Sequence, residues 1–173
     1  MAARYVVFSH GKESGPWGRK ITALAETARA EHFTVHSVDY RGIDAPEQRI
    51  ARLVDTCREL QGDLVLVGSS LGAYVTVSAA SVLHARGVFL MAPAIYAPGL
   101  PPLRPRAVDC TMNVVHGWYD EVIPVDDAIR FAREYKAPLH ILNDDHGLGS
   151  SIRRIKYLFE YFLVTLDLPP DGV

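Results

Sequence analysis

Ser70 stands in Gly68-Ser69-Ser70-Leu71-Gly72, directly after the apolar run Leu64-Val65-Leu66-Val67 and just before a segment of small apolar residues that opens at Ala73. The pattern is G-x-S-x-G. It carries meaning only when a strand precedes it and a helix follows, and both fit here. A sharp strand-to-helix turn forces its apex residue to positive φ and leaves no room for Cβ atoms two positions to either side. Gly68 and Gly72 hold those two positions. The turn would lift the Ser70 hydroxyl clear of the sheet, at a helix N-terminus whose N–H groups favour negative charge. The plainer reading is a turn with an idle serine, or a phosphate-binding turn.

A serine hydroxyl is a weak nucleophile without a base in hydrogen-bond reach and an acid that orients the base. His10, His116 and His146 each follow a short apolar run, as do Asp120, Asp144 and Asp145. From spacing alone, each histidine is a possible base and each of these aspartates a possible acid. His32, His36, His84 and His140 show no partner pattern. The same histidines and aspartates raise the question of a metal site, but no H-x-H or H-x-x-x-H spacing supports one.

The elements that must position these residues alternate regularly. Short apolar runs at residues 5–9, 33–39, 64–67, 88–91, 112–116 and 139–142 read as buried strands. Between them, Trp17, Ile21, Leu24, Ala25 and Ala28 recur at helical spacing over residues 17–30. Ile50, Leu53, Val54 and Cys57 mark a second helix, for which Asp44 with Glu47 suggests a capping box and Gly62 a C-terminal cap. A third helix runs from the Ser70 turn to about residue 85 and is closed by Gly87. A fourth covers 126–135, and a fifth follows Ser151 to about residue 166. The stretch 92–109 holds Pro93, Pro98, Pro101, Pro102 and Pro105, so it is neither a regular helix nor a central strand. Strands alternating with helices imply one parallel sheet covered on both faces, a three-layer α/β/α sandwich. Function in such sheets gathers at the C-terminal ends of the strands, where the candidate residues fall. No repeat or linker divides residues 1–173, which read as a single domain.

The formal net charge of −2 gives no basic field for nucleic acid or anionic lipid. No apolar run approaches the roughly 20 residues of a membrane span. Cys57 and Cys110 cannot build a disulfide framework, and a soluble, cytoplasmic protein is expected.

Taken in order, Phe8-Ser9-His10-Gly11, Asp39-Tyr40-Arg41-Gly42, Gly68-Ser69-Ser70-Leu71-Gly72, His116 through Pro124 and Asp145-His146-Gly147 resemble the motifs of serine hydrolases of the α/β-hydrolase fold. The resemblance covers nearly the whole chain. It implies Ser70 as nucleophile, His146 as base and Asp120 as the acid that orients it. It implies an oxyanion hole from the backbone N–H groups of Lys12 and Leu71. Asp39 is read as capping the turn with Arg41 and Gly42. The strand order expected is 2-1-3-4-5-6, a minimal form of the fold that lacks the family's first two strands and its lid. The site should then be open and shallow, with Trp17, Tyr96, Trp118 and Leu148 as candidate walls and Arg104 and Arg106 solvating the loop. The resemblance implies a small ester or thioester substrate and no cofactor. A hydrolase-fold binding protein without turnover, a small serine peptidase and a flavodoxin-like binding domain are the competing readings.

Overall fold

In the computed structural model, which describes residues 3–103 and 110–167, the strands are β1 (Arg4–Ser9), β2 (Thr34–Val38), β3 (Asp63–Ser69), β4 (Gly87–Met91), β5 (Thr111–Gly117) and β6 (Leu139–Leu142). Between and after them lie helices α1 (Arg19–Ala30), α2 (Pro46–Cys57), α3 (Leu71–Ala80), α4 (Val125–Tyr135) and α5 (Ile152–Thr165). All strand pairs are parallel, and the sheet order is β2-β1-β3-β4-β5-β6. The expected order is thus the observed one.

Alternation along the strands divides the core in two, because successive side chains point to opposite faces. Val7, Leu66, Val88, Leu90 and Val114 join Leu53, Tyr74 and Phe131 from α2, α3 and α4. Val6, Phe8, Val65, Val67, Phe89 and Met91 join Leu24, Ile155 and Phe159 from α1 and α5. Phe89 meets Phe159 edge to face with ring centroids 5.0 Å apart. Burying a side chain such as Phe89 contributes roughly 1.5–3 kcal/mol of transfer free energy. α3 is buried nearly all round, which explains why its sequence carries no amphipathic stripe.

Three local expectations are corrected. Asp44 does not cap α2: Ala45 is the N-cap residue, with no side-chain cap, and Pro46 opens the helix. Proline's fixed φ already suits the first turn and needs no capping carboxylate. Gly62 does not close α2, which ends at Cys57. Gly62 adopts φ +149°, and a Cβ there would overlap the Ala3 carbonyl that accepts the Asp63 N–H at 2.9 Å. α3 stops at Ala80 rather than near residue 85. His84 then takes φ 50°, and Gly87 is already the first residue of β4, pressed against Phe162 and Leu166 of the opposite layer.

Candidate active site

Ser70 sits between β3 and α3 with φ 55° and ψ −121°. An L residue in that region is strained by about 1–3 kcal/mol and persists only when its surroundings over-determine it. Here they do. The Ser70 N–H donates to the Met91 carbonyl at 3.0 Å, and its own carbonyl accepts from Ala73 at 2.9 Å and Ala94 at 3.2 Å. A Cβ on Gly68 would lie 2.5 Å from Ala73 Cα, and one on Gly72 would overlap the Ser9 carbonyl. Those neighbours are backbone and cannot swing aside. Gly72→Ala is therefore expected to lose about 3 kcal/mol or more of stability in urea unfolding; a loss below about 0.5 kcal/mol would contradict the packing described.

The β5–α4 and β6–α5 loops are laced together. Trp118 N–H donates to Leu142 O at 2.9 Å and Tyr119 N–H to Asp144 O at 3.0 Å. This lacing fixes Asp120 relative to His146. Asp120 is buried; its Oδ1 accepts the Val122 and Ile123 N–H groups at 2.9 and 2.8 Å. Its Oδ2 lies 2.7 Å from His146 Nδ1. The carboxylate accepts, so Nδ1 carries the proton and Nε2 presents a lone pair. His146 Nε2 is 3.1 Å from Ser70 Oγ, which donates to it. The ring remains a quarter exposed.

The alternatives left open by spacing are differently engaged. Asp144 Oδ1 accepts the Asp145 N–H, and Asp145 Oδ1 accepts the Gly147 N–H; neither carboxylate bonds the imidazole. His10 is buried, donates from Nδ1 to Gly11 O at 2.7 Å and accepts the Tyr40 N–H at Nε2. His116 is also buried and donates from Nε2 to Ile123 O at 3.0 Å, with Asp120 Oδ2 at 3.4 Å. Asp39 accepts the Arg41 N–H at 3.0 Å and pairs with its guanidinium, which holds the carboxyl well below the usual range.

Burial pushes the pKa of both His10 and His116 below the ordinary histidine value of 6.5. At neutral pH these rings are uncharged in the folded protein and mostly uncharged in the unfolded chain. As pH falls below about 6.5 the unfolded chain takes up protons that the folded chain resists, so stability declines. Urea unfolding is expected to require less denaturant at pH 5 than at pH 7, before most carboxylates titrate. A midpoint that stays level or rises over that interval would contradict the neutral, buried assignment.

Ser70 and His146 open onto a cavity of about 660 Å³, within the usual span for a small-molecule site. Leu71, Ala94, Ala97, Pro98, Leu100 and Val122 form its apolar wall. The proline-rich segment after β4 thus walls one side of a site expected to be shallow. Lys12 and Leu71 both reach this lining. Leu71 heads α3, where a backbone N–H has no acceptor within the helix. A Cβ on Gly11 would stand 3.3 Å from Ser70 Cβ, so the β1–α1 loop rests directly on the serine.

The four suggested wall residues do not line this cavity. Leu148, with φ 53°, is fully buried in the core beneath α1 and α5. The Tyr96 hydroxyl donates to Glu134 Oε2 at 2.5 Å and its ring lies under Arg130, both on α4. Trp17 and Trp118 are half exposed outside the lining. Arg104 and Arg106 lie outside the described residues.

Two residues not singled out by the motifs belong to the site's framework. Arg49 is buried; its guanidinium donates to Ile43 O at 2.7 Å and, at longer range, to His10 O and Gly11 O. It ties α2 to the loop carrying Lys12. Lys20, in the first turn of α1, reaches the cavity lining. Both fall four residues before a buried leucine, Leu53 and Leu24 respectively. A cation in register with a helix's apolar face was the available sign. Among the described residues, no cluster of three or more His, Cys, Asp or Glu side chains is placed to hold a metal, and no helix is long and apolar enough to cross a membrane.

A parallel sheet in this order, with a strained serine after β3 and a hydrogen-bonded histidine and aspartate after later strands, defines an α/β-hydrolase. The model of the alpha/beta hydrolase family matches residues 6–169, and the chain belongs to that family. It is 33% identical to an alpha/beta superfamily member from Xanthomonas campestris pv. campestris, with 94% of this chain and 99% of that one covered at a TM-score of 0.88. The fold is also similar to that of a serine hydrolase without a lid from Xanthomonas campestris (18% identity, 98% and 86% covered, TM-score 0.70). An esterase from Pyrococcus furiosus shares the fold too (16% identity, 94% and 82% covered, TM-score 0.73). No curated protein sequence matches this one.

Proposed function

We propose that this protein is a serine hydrolase that cleaves a small carboxylic ester or thioester through an acyl-enzyme. One observation carries the reading: the unbroken relay Ser70 Oγ, His146, Asp120, at 3.1 and 2.7 Å, anchored on a strained turn and open to a cavity. Ser70 Oγ attacks the carbonyl carbon as His146 Nε2 takes its proton. Asp120 holds the tautomer and stabilises the imidazolium. The carbonyl oxygen becomes an oxyanion facing the N–H groups of Lys12 and Leu71, donors worth about 3–4 kcal/mol each in comparable sites. His146 then protonates the leaving oxygen or sulfur. A water molecule, deprotonated by the same ring, releases the acid and restores Ser70.

Stopped-flow hydrolysis of para-nitrophenyl acetate tests this. A burst of nitrophenolate stoichiometric with enzyme, followed by slower steady release, is the expected result. Folded protein that releases nitrophenolate no faster than buffer would contradict it and favour a binding role for the cavity.

A further inference from the structure

The charged groups around the cavity differ in their exposure. Lys12, Glu13 and Asp44 are exposed at the rim, where solvent and salt weaken their influence. Lys20 is only partly exposed and reaches the same lining as Ser70 and His146. An ammonium carries three N–H donors and no acceptor. Among the described residues, no hydrogen bond or ion pair engages the Lys20 ammonium, although seven pairs between a lysine or arginine and a carboxylate form elsewhere.

Burial lowers the pKa of Lys20, and the nearby acids Asp120, Asp145 and Asp144 partly offset that by favouring its charged form. Asp120 is committed to His146 and two backbone N–H groups, and Asp145 to the Gly147 N–H; Asp144 Oδ1 accepts the Asp145 N–H, while its buried Oδ2 has no hydrogen-bond partner, Lys20 included. They help keep Lys20 cationic without capping it. A partly desolvated cation with unused donors, in the wall of a cavity that also holds an activated serine, is matched by an anionic oxygen on the bound molecule.

We propose that Lys20 receives a carboxylate carried by the substrate, so that the favoured substrates are anionic esters or thioesters. This rests on the hydrolase reading above. The carboxylate can belong to the acyl group or to the leaving alcohol, and both present the same chemistry to the ammonium.

The test compares kcat/KM for matched esters with and without the charge. In the acyl arm, mono(para-nitrophenyl) adipate is set against para-nitrophenyl hexanoate. In the leaving-group arm, para-acetoxybenzoate is set against para-acetoxybenzamide. The wild type is expected to prefer the anion in at least one arm, and that arm identifies the source of the carboxylate. Lys20→Met should lower the anion-to-neutral ratio by about tenfold or more, and Lys20→Arg should keep most of it. Added salt should weaken the wild-type preference. A ratio at or below one in both arms, or one that Lys20→Met leaves unchanged, overturns the proposal. Circular dichroism reports whether Lys20→Met is folded. If it is not, the Lys20→Arg ratio and the wild-type salt response decide, and a preference insensitive to salt counts against Lys20. Folded wild type that cleaves none of the four esters overturns the hydrolase reading, and this inference with it.

Discussion

In Ser70→Ala, ester hydrolysis is expected to fall by about 10⁴-fold or more, to the rate left by binding and oxyanion stabilisation alone. Fold and stability should change little. Alanine keeps the Cβ, so the strain of φ 55° is neither added nor relieved. The backbone bonds to Met91, Ala73 and Ala94 do not involve the hydroxyl. Among the described residues, the only side-chain hydrogen bond lost is the one to His146, whose partly exposed ring can turn to water. Steady-state kinetics beside thermal unfolding separate the two effects. Near-normal turnover in Ser70→Ala would remove the nucleophile from the mechanism. A collapse of stability would mean the serine serves the fold.

His146→Ala should cost activity on a comparable scale, several orders of magnitude in kcat. Without the imidazole, no other group among the described residues is in hydrogen-bond contact with Ser70 Oγ to take its proton. His116 lies 3.4 Å from Asp120 Oδ2, but its Nε2 proton is already given to Ile123 O, and burial disfavours its charged form. His10 is tied on both nitrogens, to Gly11 and Tyr40. Neither can move into reach without breaking a buried hydrogen bond, a loss of about 1–3 kcal/mol. The Asp120 carboxylate retains two backbone donors in the variant, so the protein should remain folded. A loss of less than about tenfold would shift the base to one of those two histidines.

The architecture was legible because the strands are short, apolar and evenly separated, so the alternation of periods announces a parallel sheet. The Ser70 turn was legible because crowding demands glycine at two positions, and a demand on the backbone leaves a mark in the sequence. The choice of Asp120 over Asp144 and Asp145 was carried by resemblance rather than by spacing. It depends on Tyr119 bonding the Asp144 carbonyl across two loops, a long-range contact with no local trace. The four suggested wall residues lie outside the cavity lining for a related reason. Leu148, at φ 53°, is buried in the core, and Tyr96 is engaged by Glu134 and Arg130. Neither follows from residue type. The Asp44 cap failed because a proline can start a helix without a capping carboxylate. Lys20 and Arg49 were readable in principle, as cations in register with buried leucines, but surface cations are common enough to hide them.

The central claim is that Ser70 is activated by His146. Exposure to a fluorescent fluorophosphonate, followed by mass mapping of the labelled peptide, measures this most directly. The expected result is a single adduct on Ser70, absent in Ser70→Ala and nearly absent in His146→Ala. Folded wild-type protein that takes up no label, or labels equally well without His146, would contradict it.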